Sequence, residues 1–296
     1  MKKKWPRYAL ALGLLLGIGL FVWFYLTKQA DSYTLPKQIR YSFTVQNITN
    51  QVIKDGVLSV YAPVKQTSAQ LCTAIETSYP HELVVDTLGN QILTFSFSEY
   101  PPFATKIITI KADLLFADKP VRRAVSRKDR DLFLQPEKYV ECDQPAIASQ
   151  ARAFKNWRAL RTAENVFKWV ADNIQSDGYV RNERGALYAL TAKKGDCTEY
   201  MDLFTALCRA AKIPTRRVGG YVCPGNAVLS ASEFHNWAEF YHSRRWYLAD
   251  PQNRVFMKNA ENYVAMRIIS DAVANDMQGS NRFHVRGEGL TVKMDM

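Results

Sequence analysis

The chain has 296 residues, which is long enough for one large domain or two ordinary ones. Hydrophobic residues make up 47% of the sequence and charged residues 23%, so the composition is that of a globular protein rather than a disordered one. The net charge is +11, but the basic residues are scattered and no basic run alternates with aromatic residues, which argues against a nucleic-acid partner.

The first 30 residues have the pattern of a membrane anchor. Three lysines and Arg7 precede an uncharged run over residues 8–26, which would form a helix about 28 Å long and match the hydrocarbon core of a bilayer. A cleaved signal peptide is less favoured, because Lys28 would occupy the −3 position of a cleavage site at Ala30. The basic flank predicts a cytoplasmic N-terminus, with the rest of this single-pass protein in the periplasm or otherwise outside the cytoplasm.

Residues 31–120 are predicted to form a β-sandwich of immunoglobulin-like type. Apolar side chains alternate with polar ones at Tyr41, Phe43 and Val45, and the same alternation recurs up to about residue 116. Turn-forming residues separate these short segments, as expected for consecutive strands of a sandwich. A charged connector over residues 121–145 then leads to a segment with helical periodicity.

A helix carrying a cysteine on its first turn is predicted within the next domain, residues 146–260. Asp196 and Glu199 have the spacing of a capping box, and apolar residues from Tyr200 onward recur on one helical face. Cys197 therefore lies where unpaired backbone N–H groups and the helix dipole favour a thiolate, the nucleophilic form of cysteine. The two carboxylates would oppose this if they pointed toward the sulfur, and a cationic histidine would then be needed.

A β-hairpin downstream supplies a histidine and a carboxylate. Residues 234–241 and 246–250 are predicted strands, and Ser243 and Arg244 form a plausible turn between them. With an even-numbered loop, His235 lies opposite or diagonal to Asp250 on the same face of the hairpin. An odd-numbered loop would place the two on opposite faces. In the first case the carboxylate can accept a hydrogen bond from the imidazole and select its tautomer.

The remaining cysteines and the tail carry no predicted chemistry. The five cysteines contain no CxxC pair, so neither a metal site nor a cofactor is expected. The odd number leaves at least one thiol free, and the pairing among Cys72, Cys142, Cys208 and Cys223 stays open, although Cys208 is best explained by core packing. Residues 261–296 are predicted to pack on the core, with a helix from residue 263 to residue 277 and a strand after it.

The motifs of the second domain resemble those of the microbial transglutaminase-like domain, over roughly residues 160–255. The segments that carry the resemblance are Gly195 to Tyr200, Leu207 to Arg216, Gly220-Tyr221, His235 to Glu239 and Trp246 to Pro251. One departure is Lys212, where the family usually has glycine; it affects only the end of the helix. The resemblance implies an α+β fold with a papain-like transglutaminase core, here preceded by the β-sandwich and the transmembrane helix.

The resemblance also implies an activity. It assigns a catalytic triad to Cys197, His235 and Asp250, and the family contains cross-linking acyltransferases, thiol peptidases, amidases and inactive members. We expect an extracytoplasmic enzyme that acts on amide bonds of envelope peptides or proteins, with hydrolysis favoured over cross-linking. Trp237 and Tyr200 are candidate substrate contacts, although Trp237 is better explained as a packing residue beside the site. The alternative is a membrane-anchored scaffold that binds a partner without catalysis.

Overall fold

The computed structural model describes residues 12–13, 16–19, 32–180 and 182–295. The predicted anchor over residues 8–26 therefore lies mostly outside the described residues. Within the part that is described, no helix is both long enough and apolar enough to cross a membrane.

Two β-sheets built mainly from the first third of the chain face each other. The first sheet has the order β10-β1-β6-β3, with β16 also pairing with β1, and the second has the order β15-β2-β5-β4. The strands are β1 (Leu35–Asn47), β2 (Ile53–Ala62), β3 (Gln70–Thr77), β4 (Glu82–Val85), β5 (Gln91–Tyr100), β6 (Thr105–Phe116), β10 (Ala227–Val228), β15 (Phe283–Arg286) and β16 (Leu290–Met294). The predicted strands in this region are thus present.

The alternation in the sequence explains why these sheets stack. Tyr41 and Phe43 of β1 point inward and meet Leu58 of β2 and Phe95 of β5 in one hydrophobic cluster, in which all four are almost completely buried. Apolar residues at every second position place a continuous apolar face on each sheet, and covering both faces is the main source of stability for such a layer.

The second half of the chain packs helices against a third sheet. The helices are α1 (Arg127–Leu132), α2 (Pro145–Phe154), α3 (Ala159–Asn173), α4 (Gly185–Ala192) and α5 (Cys197–Ala210). The sheet has the order β13-β12-β11-β9-β14, from β9 (Thr215–Val222), β11 (Phe234–His242), β12 (Arg245–Asp250), β13 (Val255–Phe256) and β14 (Tyr263–Ile269). A short parallel pair, β7 (Gln175–Ser176) and β8 (Lys194–Gly195), precedes α5. Phe204 of α5 packs against Phe240 of β11, which places the helix on this sheet.

The helix predicted over residues 263–277 is wrong, because β14 occupies the first seven of these residues. β14 pairs with β9 and is buried along almost all of its length. A strand buried in this way is apolar without alternation, and a short apolar run does not distinguish strand from helix. Residues 261–296 contribute one strand to each of the three large sheets, through β14, β15 and β16.

Lys37 joins the sandwich to the second half of the chain. Its ammonium group is buried, lies 4.6 Å from the centre of the Phe116 ring, and donates hydrogen bonds to the backbone carbonyls of Cys223 and Glu261. The Cys223 carbonyl directly follows β9, and the Glu261 carbonyl lies just before β14. One side chain of β1 therefore holds the ends of two adjacent strands of the third sheet.

Gly220 is expected to be indispensable for the stability of the third sheet. A Cβ atom at this position would lie 2.0 Å from the backbone oxygen of Val264 and 2.9 Å from the Trp237 ring. Backbone cannot move aside cheaply, so Gly220→Ala should lower the free energy of unfolding by about 3 kcal/mol in urea titrations of the full chain. Gly225→Ala is the matched control, because nothing lies within 4 Å of a Cβ there. Equal stability of the two variants would contradict the close approach of β14.

Candidate active site

Cys197 is the first residue of α5, and the capping box around it is present. The backbone N–H of Thr198 donates to Asp196 Oδ1 at 2.8 Å, and the N–H of Asp196 donates to Glu199 Oε2 at 2.9 Å. Together these bonds define where the helix begins. The thiol of Cys197 is partly exposed at this helix end, where unpaired N–H groups and the helix dipole favour negative charge.

The two carboxylates beside the cysteine are occupied by other donors. Asp196 Oδ2 accepts the backbone N–H of Val180 at 2.9 Å. Glu199 accepts a guanidinium hydrogen bond from Arg184 at 2.8 Å and the backbone N–H of the same residue at 3.0 Å. Arg184 therefore balances the buried charge of Glu199, and both carboxylates take their hydrogen bonds from groups other than the thiol. The expected conflict between these acids and a thiolate is thereby reduced.

The hairpin of β11 and β12 has a two-residue loop. Ser243 and Arg244 both adopt positive φ angles, 48° and 63°, as in the tight turns that match the twist of two antiparallel strands. Ala238 pairs with Ala249, so paired residue numbers add up to an odd value and His235 lies diagonal to Asp250 on one face. The distance from His235 Nε2 to Asp250 Oδ2 is 2.7 Å.

Asp250 is surrounded by further donors. Tyr263 of β14 donates its hydroxyl to Oδ2 at 2.9 Å, and Asn253 donates its side-chain amide to the same oxygen at 2.8 Å. The backbone N–H of Asn253 reaches Oδ1 at 3.2 Å. Burial raises the pKa of Asp250, but these bonds and the bond to His235 outweigh it and hold the pKa below its usual value. The carboxylate therefore stays ionised next to the ring.

His235 is held in its charged form. Burial lowers the pKa of the ring, but hydrogen bonds to Asp250 and to the Cys197 thiol, together with their negative charges, raise it to about 9. Because Nε2 of the ring contacts Asp250, the hydrogen bond to the Cys197 thiol is made by the other ring nitrogen, Nδ1. Trp237 stacks on the ring with a centroid distance of 6.4 Å and an interplanar angle of 21°. The ring thus has a fixed plane, and each of its two nitrogens has a fixed partner.

Trp237 and Tyr200 do not have the positions expected of substrate contacts. Trp237 is 1% exposed and packs between the His235 ring and Tyr263. Tyr200 is 5% exposed in the helical core and donates its hydroxyl to the backbone oxygen of Ile174. Both are aromatic residues close to the motif, but helical and strand periodicity point them into the core. The substrate role predicted for them is therefore corrected to a packing role.

Asn236 was missed at the sequence level and lies beside the thiol. Its side-chain nitrogen is 3.7 Å from Cys197 Sγ and 3.0 Å from Thr198 Oγ1. Tyr263 and Asn253 were missed as well. Asn253 could have been suspected, since it follows Asp250 by three residues in a segment that begins with proline, where polar side chains often bond back to the chain.

None of the five cysteines forms a disulfide, and Cys197 differs from the other four. Cys72, Cys142, Cys208 and Cys223 are buried, and burial raises the pKa of each of these thiols. Their thiols therefore remain protonated and shielded at neutral pH. Among the described residues, no group of three histidine, cysteine or carboxylate side chains is placed to hold a metal ion.

A buried contact connects α5 to the sheet. Burial raises the pKa of its carboxyl group, Asp202, well above the usual value, and the nearby Arg217 opposes this. Arg217 of β9 donates to Asp202 of α5 at 3.4 Å and to Glu137 at 2.7 Å. On the neighbouring strand, Glu239 accepts two hydrogen bonds from Arg216, at 2.8 and 2.5 Å. Removing one partner of such a pair leaves an uncompensated buried charge, which costs several kcal/mol. The contact between Arg217 and Asp202 therefore opposes sliding of the helix that presents the thiol, whereas the pair of Arg216 and Glu239 joins two strands of the sheet.

Residues 146–251 match the family model of the transglutaminase-like superfamily. This chain contains a transglutaminase-like domain. Cys197, His235 and Asp250 all lie within the matched range, whereas Asn253 and Tyr263 fall just beyond it. A search of curated proteins found no match.

Similarity to one solved structure extends beyond the transglutaminase-like domain. A proposed cysteine protease from Cytophaga hutchinsonii superimposes with a TM-score of 0.61 at 15% identity, over 89% of this chain and 91% of that one. The periplasmic domain of TgpA from Pseudomonas aeruginosa gives a TM-score of 0.41 at 12% identity, over 77% of this chain and 90% of that one. The first of these similarities covers the sandwich as well as the transglutaminase-like domain.

The His235 ring is expected to titrate near pH 9 in the full chain. Asp250→Asn removes the negative charge of the carboxylate that contacts Nε2, so the pKa of the ring should fall by at least one unit. Two-dimensional NMR of the ring carbons over pH 5–10 measures this directly, with the other three histidines as internal references. A ring in the unaltered chain that titrates at 6.5 would contradict the contact with Asp250.

Proposed function

We propose that the chain is a cysteine-dependent acyl-transfer enzyme that acts on amide bonds of peptides or proteins through an acyl-thioester. One observation carries the proposal. An imidazole contacts both a partly exposed thiol at a helix N-terminus and a buried carboxylate, and the pKa of that imidazole is raised to about 9. Nucleophile, base and orienting group are the three parts that nucleophilic catalysis requires.

In the proposed reaction, the Cys197 thiolate attacks the carbonyl carbon of the amide. The S–C bond forms while the π electron pair of the carbonyl moves to its oxygen. When that pair returns, the C–N bond breaks, and His235 gives its proton to the departing amine. Water then attacks the thioester as His235 removes a proton from it, and the S–C bond breaks to release the acid and restore the thiolate. Asp250 keeps the ring oriented throughout and stabilises its charge.

Hydrolysis is favoured over transfer to an amine within this proposal. The similar structure from Cytophaga hutchinsonii is described as a proposed cysteine protease, which supports water as the second reactant. The basic flank and apolar run over residues 8–26 support a membrane-anchored enzyme whose substrate lies in the cell envelope. The transglutaminase-like domain would then act in the periplasm or on the outer face of the plasma membrane.

Cys197 is expected to be the one fast-reacting thiol of the chain. With iodoacetamide at pH 6, where ordinary thiols are protonated, Cys197 should be alkylated at least about tenfold faster than the other four cysteines. His235→Ala removes the cation that holds the thiolate and should abolish this advantage. His242→Ala is the matched control, because it removes a histidine from the other end of the same strand. Peptide mass spectrometry assigns each site.

Equal and slow labelling of all five cysteines would instead favour the non-catalytic scaffold. Substrate class is tested separately, by incubating the chain with an envelope extract and identifying acyl groups bound to Cys197 by mass spectrometry. Adding a primary amine to the same reaction distinguishes the two outcomes of the thioester. Release of free acid supports hydrolysis, and incorporation of the amine supports cross-linking.

The proposed location has its own test. Alkaline phosphatase is active only outside the bacterial cytoplasm, so a fusion after residue 296 should be active in a bacterial host. Removing residues 2–26 from the fusion should abolish this activity, since both the basic flank and the apolar run are lost. An inactive full-length fusion that is nevertheless produced in normal amount would refute the extracytoplasmic location.

A further inference from the structure

Acyl transfer requires a place for negative charge on oxygen. When a thiolate adds to a carbonyl, the oxygen becomes an oxyanion, and fixed N–H donors aimed at it lower the barrier. The backbone N–H of Cys197 is one natural donor, since the first N–H groups of a helix have no partner within the helix. A single donor leaves much of this charge uncompensated, so a second one should lie close to the sulfur.

Asn236 has a side-chain amide in this position. Its nitrogen lies 3.7 Å from Cys197 Sγ and donates to Thr198 Oγ1 at 3.0 Å. A carboxamide carries two N–H bonds, so the threonine hydroxyl takes one and leaves the other on the side of the sulfur. The side chain is 9% exposed, so little water competes for that donor.

The fold shapes a space for this amide. Asn236 on β11 pairs with Gly219 on β9, and a Cβ atom at position 219 would lie 3.0 Å from the amide oxygen and 2.8 Å from the Phe234 ring. Glycine at this position therefore leaves room for the carboxamide beside the sheet. Thr198 holds the amide from the helix side, so both the sheet and the helix contribute to its orientation.

We propose that Asn236 is a catalytic residue that donates its second N–H to the oxyanion, opposite the backbone N–H of Cys197. This inference rests on the proposed acyl-transfer function and adds the group that binds the developing charge. The oxygen of a carbonyl bonded to Sγ would lie within reach of an amide nitrogen placed 3.7 Å from that sulfur. The alternative is that the amide only stabilises the resting thiolate, and the two roles differ in what they accelerate.

Two probes that attack the same sulfur separate these roles. Iodoacetamide reacts by displacement of iodide at a saturated carbon, so the rate follows the thiolate and no oxyanion forms. p-Nitrophenyl acetate acylates the thiolate: the S–C bond forms, the carbonyl π pair moves to oxygen, and its return expels p-nitrophenolate. The ratio of the two second-order rate constants at Cys197 therefore reports oxyanion stabilisation separately from thiolate formation.

Asn236→Ala is expected to slow acylation by p-nitrophenyl acetate by about 100-fold, the loss typical of one oxyanion donor. Alkylation by iodoacetamide, and its dependence on pH, should stay within twofold of the unaltered chain. Thr198→Val removes the hydroxyl that orients the amide and should give the same selective loss at smaller size. Asn173→Ala, an exposed asparagine at the end of α3, is the control and should change neither rate.

If Asn236→Ala slows alkylation and acylation equally, Asn236 stabilises the thiolate and the proposal is overturned. An unchanged rate of acylation by the ester would overturn it as well. If Asn236→Ala fails to fold, Thr198→Val decides the matter by the same ratio. Failure of the underlying function looks different. In that case the unaltered chain would show no ester acylation beyond that of Cys197→Ala, and both proposals would fall together.

Discussion

The turn at Ser243 and Arg244 is the constraint on which the site depends. Because the loop has two residues, the numbers of paired residues in β11 and β12 add up to an odd value. This pairing puts the imidazole and the carboxylate on one face of the hairpin. Because strand side chains alternate, a register shifted by one residue would move Asp250 to the opposite face. The Nε2–Oδ2 contact then determines which ring nitrogen faces the thiol and keeps the ring charged. The turn that sets this register lies about 20 Å from Asp250, by the rise of the six strand residues between them.

The nucleophile is positioned by different forces from those that position its base. Hydrogen bonds within a hairpin orient His235, whereas Cys197 depends on the docking of a whole helix. Apolar contacts such as that between Phe204 and Phe240 bring α5 onto the sheet, but they tolerate small shifts. The buried hydrogen bond from Arg217 to Asp202 is directional, so a shift of the helix that lengthens it also weakens it. Stability comes mainly from the first kind of contact and geometry from the second.

The parts of the site that could be predicted from sequence are those that depend on local chemistry. The capping box around Cys197 and the even loop follow from residues a few positions apart, so spacing alone indicates them. Tyr263 could not be recognised in this way. It reaches Asp250 only because β14 pairs with β9, and the apolar run that contains it fits a helix equally well. Asn236 was hidden for a related reason, since its role depends on how a distant helix docks.

The last strands of the chain have a consequence for how the protein is made. β14, β15 and β16 each complete a different sheet, and Tyr263 on β14 completes the set of donors around Asp250. A ribosome-bound chain that ends before these strands holds its thiol, ring and carboxylate without the framework that aligns them. The nascent polypeptide should therefore lack an aligned thiol, ring and carboxylate until these strands have been made and have paired.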